Sequence, residues 1–522
     1  MTEAVVATGC IIPLRYRIRR VMKLTHKMFW FRRRLCSALA IGNQINARSK
    51  LMFALLIFTV SYSTKCLHAI DLAPVMYTTQ APLGSLSDYY DTRAASILKG
   101  EGLLGPYSSD PRNTSSLARA PGYPIYLSLI YVVLGRDYFK VQLVQNALNS
   151  VSPVLIFLIA GLLLSWRIGI ASGMLSAVSH HLSYMSNWIL PDSLTSLLLL
   201  SACYLILIGK RFHRYSYWLY ALAGMMLGLS AWLRSNTLLL GPFLLIMLVV
   251  IAARRVETAK RAALMSLVSF LVIAPITIKN YLRHGEFVPI NIQLGLVMWE
   301  GIAVASGDRF GAVVDDNEVA RQEAEIYNNP GYAADWSSPD GIQRDRDRVR
   351  KSLDIIAKHP LWYSGVMLDR MGEMLKYSAH APLVSRVDKG QELEASYITR
   401  PRWQSVDSGE SSLVVGRNLY WMRLPIRTLQ RITKETMLAF ILLGAAIVVA
   451  ASWRRGLFLL MVPLYHLLFQ SLMNTEFRYG LPIHYFLFVF AGTIWVLLLF
   501  VVWKGLRRIT KTKVFRKRAM PG

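Results

Sequence analysis

Residues 191–236 read PDSLTSLLLLSACYLILIGKRFHRYSYWLYALAGMMLGLSAWLRSN. After Asp192 an uncharged run extends to Gly209. Lys210, Arg211 and Arg214 follow, then a second apolar run to Leu233, then Arg234. As a helix rising 1.5 Å per residue, each run crosses most of a hydrocarbon core of about 30 Å. Two such runs joined by a short basic turn form a membrane hairpin whose turn marks the cytoplasmic side. The same unit recurs along the chain. Ten apolar segments are predicted to span, at 51–70, 141–165, 168–187, 191–209, 217–233, 237–253, 262–281, 436–452, 456–473 and 481–503. In lipid only a helix or a closed barrel satisfies the backbone, so these are helices. An eleventh apolar stretch, 122–135, is too short to cross comfortably and reads as an interfacial or re-entrant helix.

Composition agrees. Of 522 residues, 54% are hydrophobic and 17% charged, against roughly 25% charged in soluble domains. This excludes a simple soluble enzyme and a disordered chain. Four cysteines, at 10, 36, 66 and 203, are too scattered for a disulfide framework or a zinc site. The net charge of +28 would suggest nucleic acid in a soluble chain. Here it is topological. Residues 1–50, the short joints and the tail 504–522 hold 29 of the 59 basic residues but only Glu3 and Glu257 among the 31 acids. Ten spans place all of those segments in the cytoplasm, with both termini there.

The domain reading follows. Residues 1–50 are a basic cytoplasmic arm, its aromatic and aliphatic residues suiting a surface helix on anionic lipid. Residues 51–281 are a transmembrane core whose first outer loop is 71–140. Residues 282–435, with 20 basic and 21 acidic residues, are a folded extracytoplasmic domain containing a helical stretch at 344–377. Residues 436–503 return to the membrane, and 504–522 are a basic cytoplasmic tail. The fold class is an all-α polytopic membrane protein with a mixed extracytoplasmic domain, located in the cell (inner) membrane.

Chemistry is expected at the outer mouth. In SDYYDTRAASILKGEGL (87–103), Asp88 and Asp91 stand three residues apart, with Arg93 beside them. Carboxylates there can take a proton from an acceptor or hold a divalent ion; alternatively Ser87 or Asp88 caps a helix. In ARAPGYPIYLSLIYVVLG (118–135) a Pro-Gly-Tyr-Pro turn sets Arg119 at the depth of a lipid phosphate, which a guanidinium binds bidentately. Arg234 and Arg478 fall at the same level, and Glu476 beside Arg478 suggests a surface ion pair. His180 and His181, adjacent on a helix, diverge too far to share a metal. Asn113-Thr114-Ser115 is a glycosylation acceptor pattern. Trp299, Trp336 and Trp362 suit either sugar stacking or a domain core. No phosphate-binding glycine loop, nucleophile elbow or dinucleotide fingerprint is present.

These motifs, together with SNWILPDSLTSLLLL (186–200), AGMMLGLSAWLRSNTLLLGP (223–242), APITIKNYLRHGEFVPINIQLGLVMWEG (274–301) and TEFRYGLPIHYFLFVFAG (475–492), resemble GT-C glycosyltransferases in the same order. The resemblance is to the bacterial branch similar to protein O-mannosyltransferases and lipid A aminoarabinose transferases. Lys279 stands where that branch usually has Arg, Asp192 where it often has Glu, and Ala120 where a proline is frequent. The resemblance implies inverting transfer of a sugar from polyprenyl phosphate to a lipid, protein or glycan acceptor, with no nucleic acid involved. It implies Asp88 as base, Asp91 as its substitute, and Asp192 orienting the acceptor or a divalent cation if one is used. The leaving phosphate would be held by Arg119, Arg234 and Arg478, with Arg93 and Lys279 in support. Two rival readings remain at this point. One is a lipid-linked saccharide polymerase or ligase; the other is a lipid-saccharide flippase or transporter.

Overall fold

The computed structural model describes residues 45–76, 85–102, 110–375, 420–475 and 477–518. The basic arm up to residue 44, Glu476 and residues 376–419 lie outside them. The described residues are helical, with no strand. In chain order the helices are α1 (Ala47–Met76), α2 (Ser85–Leu98), α3 (Gly122–Leu134), α4 (Tyr138–Asn149), α5 (Val151–Leu163), α6 (Trp166–Ala177), α7 (His180–Met185), α8 (Asp192–Arg211) and α9 (Ser216–Leu233). They continue with α10 (Leu240–Ile251), α11 (Arg255–His284), α12 (Leu294–Ser306), α13 (Asp316–Ile326), α14 (Gly341–Lys358), α15 (Pro360–Leu375), α16 (Tyr420–Ala451), α17 (Trp453–Ser471) and α18 (Leu481–Arg518).

All ten segments expected to span are helical. Five stretches are long and apolar enough to cross a membrane: Ala47–Ile70, Tyr138–Leu163, Asp192–Arg211, Arg255–His284 and Arg478–Gly505. Two expected spans differ in detail. Segment 141–165 contains a joint at Ser150, whose hydroxyl turns back to the Asn146 carbonyl at 2.6 Å. Segment 168–187 is two short helices, because Ser179 caps α7 by accepting from the Leu182 amide at 3.3 Å. The short stretch 122–135 forms α3, which at 13 residues is about 20 Å long. It buries Tyr123, Leu127 and Tyr131 and exposes Leu129, Val132 and Val133.

The outer surface of the bundle is apolar. Leu55, Leu56, Ile246, Leu267, Leu271, Leu442, Leu499 and Val501 are exposed, as lipid-facing positions must be. The first turns of α18, from Leu481 to Ala491, are buried on all sides, which makes it the central helix. The glycine-rich helix α9 packs between α8 and α11. A Cβ on Gly224 would lie 2.2 Å from the Met265 carbonyl oxygen, and one on Gly228 would lie 2.5 Å from Val272. Two glycines four residues apart thus let the backbones of α9 and α11 approach closely.

Helices α12 to α15 form a cap at one end of the bundle. Leu296, Trp299, Ile302, Val319, Trp336 and Tyr363 are its core. Trp299 and Trp336 are buried there and Trp362 packs against Phe310, so the tryptophans serve the core of the cap. Within it, Glu323 accepts from Arg344 Nε and Arg348 Nε, each at 2.6 Å. The expected helix 344–377 is interrupted at His359, because Pro360 has no N–H and begins a new helix.

The first loop is fastened to this cap. The Ile292 amide donates to the Leu117 carbonyl at 2.9 Å, and the Gly341 amide to Thr114 Oγ1 at 2.8 Å. Arg112 Nε donates to Asp340 Oδ1 at 2.8 Å. The Asn113-Thr114-Ser115 pattern is part of this fastening: Thr114 is buried, and Asn113 Oδ1 accepts from the Ser115 hydroxyl at 2.9 Å.

Candidate active site

Where cap, first loop and bundle meet, a cavity of about 270 Å³ opens. Three arginines line it from three distant parts of the chain. Arg119 comes from the loop before α3, Arg234 from the C-terminal cap of α9, and Arg478 from the 3-10 turn before α18. Each follows from local sequence. The Pro121-Gly122 turn starts α3 against α9, where a Cβ on Gly122 would meet the Trp232 carbonyl oxygen at 2.6 Å. Arg234 leaves the helix in extended conformation, φ −144° and ψ 112°. Leu233, Leu238, Leu239, Phe469 and Met473 supply an apolar wall.

Asp192 does not line the cavity itself, but it pairs with Arg234 behind the wall. It opens α8, where a negative charge suits the helix dipole, and it is buried to 6% exposure. Its carboxylate takes Arg234 Nη1 at 3.2 Å. The Arg234 guanidinium also lies over the Tyr479 ring at 4.3 Å, held between a carboxylate and a π-face. Tyr90 on α2 lines the cavity within electrostatic reach of Asp192 and all three arginines. Burial pushes its hydroxyl up, against the pull of the arginines, so it remains a neutral donor.

The other sequence candidates are placed differently. Asp91 is buried and accepts from Tyr131 Oη at 2.7 Å and Arg136 Nε at 3.1 Å. Burial acts to raise its pKa, but these hydrogen bonds outweigh it and hold the carboxyl below the usual range. Asp91 therefore fastens α2 to the end of α3. Asp88, half-buried in the first turn of α2, is not among the cavity-lining residues. At 100° per residue it lies roughly 160° round the helix from Tyr90. Arg93 donates to the Ser115 carbonyl at 3.3 Å and supports the turn that leads to Arg119. Lys279 is exposed on α11 and does not line the cavity. Its neighbour Asn280 is the buried residue of that motif. The Asn280 amide donates to the Val288 carbonyl at 3.0 Å and the Ile290 carbonyl at 3.1 Å, shaping the cavity wall at Pro289 and Ile290.

Sequence reasoning missed the support behind Asp192. Gln142, Gln145, Asn146 and Asn149 share one face of α4 and are fully buried. Gln145 Nε2 donates to the carbonyls of Ser186 and Trp188, both at 2.8 Å. Gln142 Nε2 donates to the Asn187 carbonyl at 2.7 Å, and Asn149 Nδ2 to Ser193 Oγ at 2.8 Å. This ladder fixes the turn 186–193 that aims Asp192. The signal is readable: four amides at helical spacing in QLVQNALN, within an otherwise apolar segment.

A carboxyl pair also escapes the sequence reading. Arg119 Nη2 lies 3.7 Å from Asp316 Oδ2, and Asp316 hydrogen-bonds Glu300 on α12. Burial and the Asp316 carboxylate push the Glu300 carboxyl up to about 9. A carboxyl whose folded pKa is raised favours the fold when protonated. That stability is complete below its unfolded value of about 4.3 and is lost as pH rises toward about 9. Glu300→Gln is therefore expected to remove a pH-dependent loss of about 1–3 kcal/mol between pH 6 and 9. Thermal unfolding of the two proteins across that range checks it. Parallel curves would sink it.

Among the described residues, no group of three or more His, Cys, Asp or Glu gathers to hold a metal ion. Asp192 is committed to Arg234, and His180 meets His68 at 3.1 Å rather than His181.

The geometry defines a class first: a multi-pass helical membrane protein with an arginine-lined cavity at one end of its bundle. Residues 118–278, which include Arg119, Asp192 and Arg234, match the family model described as dolichyl-phosphate-mannose-protein mannosyltransferase. The resemblance to GT-C glycosyltransferases read from the sequence is borne out at that level. No curated protein matches the chain. Among solved structures, the apo oligosaccharyltransferase of Archaeoglobus fulgidus aligns with 13% identity and a TM-score of 0.49, covering 90% of this chain and 52% of that one. The chain thus spans about half the length of that protein. ArnT from Cupriavidus metallidurans bound to undecaprenyl phosphate aligns with 11% identity and a TM-score of 0.38, covering 86% of this chain and 78% of that one. Likenesses this distant carry no argument about individual residues.

Proposed function

We propose that this protein is an inverting glycosyltransferase that moves a sugar from a polyprenyl-phosphate donor to an acceptor hydroxyl. The reaction takes place on the side of the membrane away from the cytoplasm. One observation carries the reading: Arg119, Arg234 and Arg478, separated by more than a hundred residues each, line one cavity beside an apolar wall. Three guanidiniums suit a phosphate, and the apolar wall suits the first units of a lipid chain. The balance of basic joints supports placing this end of the bundle outside the cytoplasmic membrane.

In the proposed step the acceptor oxygen bonds to the anomeric carbon as the bond from that carbon to the phosphate oxygen breaks. The electron pair leaves on the phosphate, where the arginines stabilise it. The acceptor proton goes to a carboxylate. Neither Asp192 nor Asp88 lines the cavity; Asp192 is the carboxylate paired with a cavity arginine, so we assign it this role and retain Asp88 as the competing base. Arg234 would then hold donor phosphate and base at a fixed separation.

Reconstituted protein, given polyprenyl-phosphate sugars, separates the two carboxylates. Asp192→Asn is expected to lower kcat about a hundredfold or more, with little change in donor affinity. Asp88→Asn is expected to stay within about tenfold of the parent. The reverse order would transfer the base role to Asp88. Movement of the lipid across the membrane without a glycosidic product would favour the transporter reading.

A further inference from the structure

The end of the bundle away from the cavity carries its own gathering of charge. Three joints meet there: residues 210–218 between α8 and α9, 252–261 between α10 and α11, and 452–455 between α16 and α17. Side chains draw them together. Tyr217 Oη donates to Glu257 Oε1 at 3.2 Å, and the Arg261 guanidinium, 2.8 Å from Glu257, lies over the Tyr217 ring at 5.6 Å. Lys210 Nζ lies over the Phe458 ring at 5.2 Å, which ties the first joint to the third. Around these contacts the first joint exposes Arg211 and Arg214, the second Arg254, Arg255 and Lys260, and the third Arg454 and Arg455. Glu257 is the only acid in the three joints, and Arg261 already holds it. Among the described residues none of the exposed cations forms an ion pair.

Like charges gathered on rigid helix ends repel, so this surface favours an anion. The chain does not supply one. Residues 1–50 and 504–522, which the ten-span reading places on the same side, hold a single acid, Glu3. A second copy would bring the same positive charge. The apolar side chains among the cations say which anion fits. Trp218 is 78% exposed and Val256 72%, and Phe212, Tyr215 and Trp453 are exposed beside them, all at ends of apolar helices. At that level aromatic and aliphatic groups meet the acyl boundary while guanidiniums meet headgroup phosphates. A soluble polyanion would satisfy the charge and leave the apolar groups in water. We propose that this end of the bundle is a docking surface for anionic phospholipid, whose phosphates bridge the three joints while the acyl chains lie against Trp218 and Val256. The surface is remote from the cavity, and the proposal does not depend on the reaction assigned there.

The test follows thermal unfolding of the purified full chain in uncharged detergent with added lipid. Phosphatidylglycerol is expected to raise the midpoint by about 5 °C or more over the same amount of phosphatidylcholine. The gain should fall by about half or more between about 0.1 M and about 0.5 M salt. Replacing Arg254, Arg255, Arg454 and Arg455 together by serine is expected to remove most of the gain, and replacing them together by lysine to keep most of it. Trp218→Ala, with every cation in place, is expected to lower the gain by about a third or more. An equal gain from phosphatidylcholine, or a full gain in the serine variant, would overturn the surface. Inorganic phosphate matching the lipid would reduce it to a general anion site. Polyglutamate or an RNA oligomer matching the lipid would assign the surface to a soluble polyanion and overturn the lipid. Should the serine variant fail to accumulate, the lipid, salt and polyanion comparisons on the parent, with Trp218→Ala, still decide.

Discussion

Arg234→Ala is expected to lower sugar transfer by about a hundred- to a thousandfold, as a loss of kcat more than of donor affinity. The reason is its position. The guanidinium sits 3.2 Å from Asp192, over the Tyr479 ring, on the wall of the cavity that would receive the donor phosphate. Its removal takes away charge that the proposed transition state needs, and leaves Asp192 buried without its partner. The second effect also threatens the fold, since an unpaired buried charge costs about 3–5 kcal/mol. The double variant Arg234→Ala, Asp192→Asn separates the two. Thermal unfolding should recover toward the parent while transfer stays lost. Arg234→Lys should restore only part of the rate, because an ammonium cannot span a carboxylate and a phosphate as a planar fork does. Transfer by Arg234→Ala within a few-fold of the parent would remove Arg234 from the mechanism.

The largest stability effect is expected at Gly224. A leucine there would drive its Cβ to 2.2 Å from the Met265 backbone oxygen, a contact that no side-chain adjustment relieves. Helix α9 would have to leave α11, breaking the hydrogen bond from Trp232 Nε1 to the Val272 carbonyl at 2.9 Å. It would carry Arg234 with it. A loss of more than about 3 kcal/mol follows, and the folded protein should not accumulate. Gly228→Leu should behave alike. Gly365→Ala is the control: that glycine is exposed on α15, with nothing within 4 Å of where a Cβ would stand, so the change should be neutral or gain up to about 1 kcal/mol. Monodispersity in detergent and thermal unfolding check all three. Normal folding of Gly224→Leu would refute the close packing of α9 on α11.

Much of the architecture is written in hydrophobic periodicity and charge. Apolar runs of crossing length identify the helices of the bundle without reference to their neighbours. The three arginines are legible too, because each stands at a helix end beside a turn-forming residue. The facing of side chains is less legible. The spacing of Asp88 and Asp91 suggests one helix face turned toward the chemistry. Which side of α2 meets the cavity depends on what packs against it, and Leu86 and Tyr90 take that place. In Lys279-Asn280 the conspicuous charge stands exposed while the quiet amide is buried and shapes the wall.

The sequence by itself determined that this is a helical membrane protein, where its apolar segments lie, and which helix ends carry arginine and acid. Length and burial of uncharged runs are local properties, and lipid admits few ways to satisfy them. Only the tertiary structure decided which of those charges meet. Arg119, Asp192, Arg234 and Arg478 come together because Gly122, Gly224 and Gly228 allow close helix contact and the α4 amides fix the turn before Asp192. Such convergence depends on distances across the fold, and no spacing along the chain encodes them directly.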